Sequence, residues 1–136
     1  MHSNSIELLK KMQELENALK NISREEAVRL LRRKFGERGV RALQKVLSRS
    51  VAKCCFKPSN LEIWIVRGRS GKEHLVLPKF FCDCEDFYLN VVIRRKVEAC
   101  HHIIAQVIAE SYKLYEEIEE RDLKLVKILM ERMRTL

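Results

Sequence analysis

The feature that most constrains this chain is a set of three cysteines and one histidine arranged as two closely spaced pairs. The pattern is Cys82-x-Cys84, then 15 residues, then Cys100-x-His102. Three thiolates and one imidazole are ligands that a tetrahedral zinc ion takes in a structural site, where four protein ligands leave no position for water or substrate. The spacing therefore predicts one structural Zn²⁺ per chain, held by these four residues.

Each pair also predicts a local backbone. On an extended chain Cys82 and Cys84 point to the same side. On a regular helix Cys100 and His102 would point apart, so we expect this pair in the loop and first turn that begin a helix. The amino end of that helix carries partial positive charge, which favours thiolates. Of the adjacent imidazoles His101 and His102 only one can reach the ion, and the pattern favours His102.

These residues resemble the SWIM zinc-binding domain, whose pattern is C-x-C-x(n)-C-x-H. The extension C-x-H-x-x-A, met by Cys100, His102 and Ala105, is similar to the SWIM subgroup found in the recombination mediator of the eukaryotic Shu complex and its archaeal relatives. The resemblance covers residues 40–110. It implies an accessory factor of a RadA/Rad51-like recombinase or its paralogue in homologous recombination and DNA repair. It also implies contact with DNA, expected to be single-stranded, directly or through that partner.

The hydrophobic pattern predicts an α+β fold. Apolar residues recur at helical spacing in the first third of the chain, and Ser23 followed by Glu26 forms a capping box. The expected helices are 5–20, 24–34 and 37–48. Three β-prone runs separated by turn residues then predict a three-stranded antiparallel meander. The expected strands are 51–56, 61–66 and 73–77.

Beyond the meander, we expect one helical turn at 85–89, a strand at 90–93 and a basic tip at 94–96. No Gly or Pro follows Cys100, and the apolar spacing predicts a long C-terminal helix, either continuous or restarted at Asp122. A continuous helix would be longer than a domain of this size can cover. We therefore expect it to fold back on the N-terminal helix or to meet a second chain.

We divide the chain into an N-terminal helix (1–22), a SWIM-type zinc-binding domain with a helical lead-in (23–120) and a C-terminal helical extension (121–136). The first helix either packs on its own domain or forms a short coiled-coil seam. A homodimer through the terminal helices is one expectation that follows.

Positive charge is concentrated in one segment. The chain carries 27 Lys and Arg against 19 Asp and Glu, and residues 24–72 hold 14 of the basic residues but only 4 of the acidic ones. This excess favours nucleic acid as a partner, with a solvated face as the alternative. The candidate contacts to nucleic acid or a partner are Arg32, Arg33, Lys34, Arg67, Arg69, Arg94, Arg95 and Lys96.

No catalytic constellation is present in the sequence. It lacks a glycine-rich phosphate loop and the proton-shuttling Glu of zinc deaminases, so we expect no enzyme activity. No apolar run approaches the ~20 residues of a membrane span, and no secretory signal is visible, which predicts an intracellular protein, cytoplasmic or, in a eukaryote, nuclear. Two alternatives remain: a stand-alone nucleic-acid-binding zinc protein, and a thiol redox protein using Cys82 and Cys84.

Overall fold

The computed structural model describes residues 2–134, apart from the side chains at 2–5 and 69. Within that range the chain forms helices, a mixed sheet and two short irregular helical segments, which confirms the α+β class. The α-helices are α1 (His2–Leu19), α2 (Arg24–Phe35), α3 (Glu37–Leu47), α4 (His101–Tyr112) and α5 (Asp122–Arg134). The short segments are a 3₁₀ turn (Arg69–Gly71) and a π-helix (Phe87–Ile93).

The sheet has five strands in the described part of the chain, in the order β4-β3-β2-β1-β5. The strands are β1 (Val51–Lys57), β2 (Leu61–Arg67), β3 (Glu73–Leu77), β4 (Phe81–Cys82) and β5 (Glu116–Arg121). Strands β1 to β3 form the predicted antiparallel meander. The two-residue strand β4 extends it at one edge, and β5 pairs with β1 in parallel at the other.

Alternating side chains divide the core between the two faces of the sheet. On β2, Trp64 and Val66 belong to the larger core shared with α1, α2, α3 and α4, whereas Ile63 and Ile65 belong to a smaller core beneath α5. Trp64 is buried and packs edge-on against Tyr115 with 4.7 Å between ring centroids. Trp64 therefore contributes to the core and does not stack on a base.

The helical lead-in forms as its sequence signals predict. The Ser23 side chain accepts a hydrogen bond from the Glu26 amide at 3.2 Å, which caps α2. Gly36 separates α2 from α3 with φ 60°. Gly39 lets the two helices approach closely, because a Cβ atom there would lie 2.5 Å from the Leu31 carbonyl oxygen.

The apolar residues of α1 are buried within the chain itself. Leu8, Met12, Leu15 and Leu19 are each at most 6% exposed and belong to the larger core. This stripe already packs on its own fold, so it is not available as a coiled-coil seam in this conformation.

The C-terminal region is not one continuous helix, whereas the predicted alternative, a helix that restarts at Asp122, is confirmed. Lys113 adopts a left-handed conformation (φ 55°, ψ 40°), and the Leu114 amide donates back to the Ala109 carbonyl at 2.9 Å, which ends α4. The chain then runs as β5 before α5 begins at Asp122. The glutamates of β5 favour a helix locally, but pairing with the free edge of β1 overrides that propensity.

The predicted strand at 90–93 is also wrong. These residues continue the π-helix, in which the Arg94 amide donates to the Leu89 carbonyl five residues earlier at 2.8 Å. Asp86, just before the segment, accepts two hydrogen bonds from Arg38 of α3, at 3.0 and 2.8 Å. A side-chain contact between distant segments thus fixes a conformation that the β-branched residues alone would not favour.

Candidate metal centre

The structure brings together the four residues that the sequence pattern singled out. One ligand atom from each of Cys82, Cys84, Cys100 and His102 lies within 4.8 Å of all the others. None of the four residues is more than 6% exposed. The cluster therefore offers four inward-facing donors in a compact, water-excluded space.

The first pair is set by the short strand β4 and the loop that follows it. Cys82 pairs with Val76 of β3, and Cys84 lies two residues further on, before the π-helix. The amide of Phe87 donates a hydrogen bond to the Cys84 sulfur at 3.3 Å. Such bonds stabilise a thiolate, and they are the kind of outer contact that orients a metal ligand.

The second pair sits at the beginning of α4, as predicted. Cys100 is the N-cap residue, with an extended backbone (φ −81°, ψ 164°), and His102 lies in the first turn. The positive end of the helix dipole therefore lies beside the thiols. Apolar residues of α4 bury this end of the helix in the larger core.

The thiols perturb one another strongly. The hydrogen bonds from Cys100 and Cys82 lower the pKa of Cys84. The hydrogen bond to Cys100 raises the pKa of Cys82, and burial raises the pKa of Cys100. Three thiolates in this space need a cation, which fits a zinc ion.

His102 supplies a second indication that the cluster suits a metal ion. His102 Nδ1 is buried and has no hydrogen-bond partner among the described residues. A buried polar atom without a partner is costly, and metal coordination by this ring would account for it. His101 is only partly buried and is not part of the cluster. The geometry therefore favours His102, with His101 stacked beside it at 3.9 Å between ring centroids.

Asp83, between the two cysteines of the first pair, links the cluster to the sheet and to α5. Its carboxylate accepts from the Leu75 amide at 3.0 Å and from Arg132 Nε at 2.9 Å. Burial alone would raise the pKa of Asp83, but these bonds and a contact with His74 hold it below its usual value. The sequence pattern treats this residue only as the x of C-x-C.

The turn that leads into the cluster is fixed by a fully buried amide. The Gln106 side chain of α4 accepts a hydrogen bond from the Lys79 amide at 3.1 Å and donates to Glu110 at 3.0 Å. Lys79 Nζ bonds Glu110 at 2.8 Å and lies 3.2 Å from Glu16 of α1. Through Lys79 these contacts hold the segment just before β4 against α1 and α4.

The fold and the cluster define the class of protein: an α+β domain whose four convergent Cys and His ligands could hold one metal ion. Comparison with known proteins agrees with that class. The chain is 28% identical over 108 residues to the zinc finger SWIM domain-containing protein 7 homolog of Dictyostelium discoideum, spanning 79% of this chain and 69% of that protein.

Two vertebrate proteins give similar results. Zinc finger SWIM domain-containing protein 7 of Danio rerio is 27% identical over 124 residues, covering 90% of this chain and 87% of that protein. The protein of the same name from Mus musculus is 28% identical over 98 residues, covering 71% and 64% respectively. No family model and no solved structure matches the chain. The curated similarities and the cluster together confirm the SWIM resemblance.

The predicted basic contacts occupy several surfaces. Arg32, Arg33 and Lys34 are exposed on α2, and Arg94, Arg95 and Lys96 are exposed after the π-helix. Arg67, at the end of β2, is half-buried and lies 3.5 Å from Glu73 and 3.4 Å from Glu116. The side chain of Arg69 lies outside the described residues. The charge of Arg67 is thus partly neutralised. The exposed residues among these predicted basic contacts lie on α2 and just after the π-helix.

One group of cations was not singled out by the sequence reasoning. Arg41 and Lys45 lie on α3 beside the metal cluster, where they line a cavity with Gln44 and Ser48. The sequence contains a signal for this group, because these four residues recur at helical spacing and so share one face of α3. None of the helices in the described range is both long and apolar enough to cross a membrane.

Proposed function

We propose that this chain is a non-catalytic, zinc-binding SWIM protein that acts as a protein and DNA interaction module, as an accessory factor of a RadA-like recombinase or its paralogue. The observation that carries the proposal is the burial of the closed ligand set, of which no member exceeds 6% exposure. An ion bound there would have no open position for a substrate, so its role would be structural. It would hold β4, the π-helix and α4 together.

A surface suited to a protein partner lies on α5. Leu123, Val126, Met130 and Met133 are 64%, 48%, 53% and 68% exposed, and their spacing places them on one side of the helix. We call these four residues the α5 stripe. The opposite side of α5 packs on the sheet through Leu125 and other residues. An exposed apolar stripe of this kind marks an interaction site for a partner helix.

The charges beside the α5 stripe indicate the kind of partner. Lys124, Lys127 and Arg134 are exposed on one flank, with Glu131 as the acidic residue among them. Two copies of this flank would repel each other, whereas an amphipathic helix with an acidic flank would be attracted. We therefore place a different protein on the stripe. Its assignment to the recombinase family rests on the resemblance to Shu-type SWIM proteins.

The test is a binding titration between the zinc-loaded chain and each purified recombinase or paralogue from the same organism. The double variant Leu123→Ser/Met130→Ser removes two of the four members of the stripe and should weaken binding about 10-fold or more. Tyr88→Ser/Ile93→Ser is the matched control, because these side chains are similarly exposed, at 59% and 57%, on the π-helix. If no recombinase or paralogue binds the wild-type chain, the recombinase assignment is wrong.

A second candidate function is stand-alone binding of nucleic acid. It is favoured by the excess of basic residues between Arg24 and Lys72, a segment that contains 14 Lys and Arg but only 4 acidic residues. A stand-alone binder would hold single-stranded DNA without any partner, with an affinity that falls steeply as salt rises. A module that depends on its partner would bind DNA weakly until the partner is added.

A further inference from the structure

A polar cavity of about 600 Å³ lies beside the metal cluster. Its walls come from α3, from the turn after β2, from β3 and from the beginning of α4. The α3 side chains are Arg41, Gln44, Lys45 and Ser48. Cavities of this size commonly accommodate a small ligand.

The cavity carries positive charge from Arg41 and Lys45, and the Asp83 carboxylate contacts the lining residue His74 at 3.6 Å. No carboxylate lines it, and none of the described residues forms an ion pair with Arg41 or Lys45. Elsewhere on the fold, Arg38, Arg67 and Lys79 all have acidic partners. The two cations of the cavity are one helical turn apart and so lie on the same side of α3.

The cation at Lys45 is held in place. Its Nζ donates to the Arg67 carbonyl at 2.9 Å, which leaves two of its three N–H groups for a ligand. The neighbouring Gly68 has no side chain to cover the cavity. His101 and His102, in the first turn of α4, also line the cavity.

We propose that this cavity binds a phosphate group of a nucleotide unit. An arginine fork and a lysine are donors that proteins use for phosphate oxygens. The same chemistry is offered by two sources, the backbone of a single-stranded nucleic acid and a free nucleotide. The inference does not depend on a recombinase partner, because the cavity is built entirely from this chain.

The experiment uses the full zinc-loaded chain alone. Labelled oligothymidine and thymidine monophosphate are titrated separately, with pyrophosphate as a competitor. The test variant is Arg41→Gln/Lys45→Gln, and the control variant Lys10→Gln/Lys20→Gln removes the same charge from exposed positions in and just after α1. Zinc content and the far-ultraviolet circular dichroism spectrum establish that each variant is folded.

We expect the cavity variant to bind about 10-fold or more weakly, and the slope of log affinity against log salt concentration to become shallower by about one to two units. The control variant should bind about 3-fold or less weakly. Loss of both strand and nucleotide binding would indicate that either source is accepted. Loss of strand binding alone would assign the site to the nucleic-acid backbone. Equal losses in both variants, or no binding of either ligand, would overturn the proposal.

Discussion

Gln106 gives the sharpest test of how the fold positions the metal-binding loop. This side chain is fully buried. Its Oε1 accepts a hydrogen bond from the Lys79 backbone amide at 3.1 Å, and its Nε2 donates to the Glu110 carboxylate at 3.0 Å. Gln106→Leu keeps a side chain of similar length while removing both hydrogen bonds. The turn before β4 then loses its fixed contact with α4.

The expected cost follows from the two bonds. The neutral bond from the Lys79 amide contributes about 0.5–1.5 kcal/mol and the bond to the charged Glu110 carboxylate about 1.5–3 kcal/mol, while a buried donor left without a partner costs about 1–3 kcal/mol. Glu110 keeps its bond to Lys79 Nζ at 2.8 Å, so the Lys79 amide is the group left unpaired. The leucine recovers some apolar burial. A net loss of about 2–3 kcal/mol in the free energy of unfolding is therefore expected.

The assay is urea unfolding of the zinc-loaded protein, followed by circular dichroism. Gln13→Leu on the exposed side of α1 is the matched control, because it makes the same chemical change where no buried bond is lost. With a urea m-value of about 1–3 kcal/mol/M, the urea midpoint of Gln106→Leu should fall by roughly 1–2 M relative to the control. Equal stability of the two variants would refute the role assigned to this amide.

Two further predictions concern pH and helix packing. Burial alone would raise the pKa of Glu110, but the hydrogen bonds from Lys79 and Gln106 and the charge of Lys79 together outweigh it and lower that pKa. Its stabilising effect is therefore present above the unfolded pKa, near ~4.3, and is lost as pH falls through the folded value. Glu110→Gln should be less stable than wild type in urea at pH 7, and the gap should shrink as the pH falls below about 4.3; a pH-independent gap would contradict this. Gly39→Ala should destabilise by about 1–3 kcal/mol in the same assay, because of its contact with the Leu31 carbonyl, and an unchanged midpoint would contradict that.

The parts of the fold that were predictable are those whose signals are local. Ser23 and Gly36 delimit α2, and the alternating apolar residues of β2 mark both of its faces. The close spacing within each ligand pair restricts the backbone at Cys82 and Cys100 enough to predict the extended strand and the helix start. In each case neighbouring residues alone supply the physical constraint.

The parts that were not predictable depend on distant contacts. The sequence of β5 is rich in glutamate and by itself favours a helix. It forms a strand because it pairs with the edge of β1, which is distant in the sequence. The π-helix depends on Arg38 binding Asp86, 48 residues away in the sequence. The cavity beside the metal cluster is lined by residues of α3, β3 and α4, which are distant in the sequence. The sequence therefore shows only the helical spacing of Arg41 and Lys45.

The division into three domains and the homodimer through terminal helices stay predictions. The α1 residues proposed for such a contact are buried within the chain. The α5 stripe is exposed instead, which shifts the expected protein contact to the C-terminal helix.

The most direct test of the account is the metal content of the purified chain, measured together with its free thiols and compared with Cys100→Ser. The account predicts one zinc per chain, protection of the three clustered thiols from titration, and loss of both the metal and the folded state in the variant. A metal-free chain that remains folded, with Cys82 and Cys84 reactive or joined by a disulfide, would contradict it and favour thiol redox chemistry.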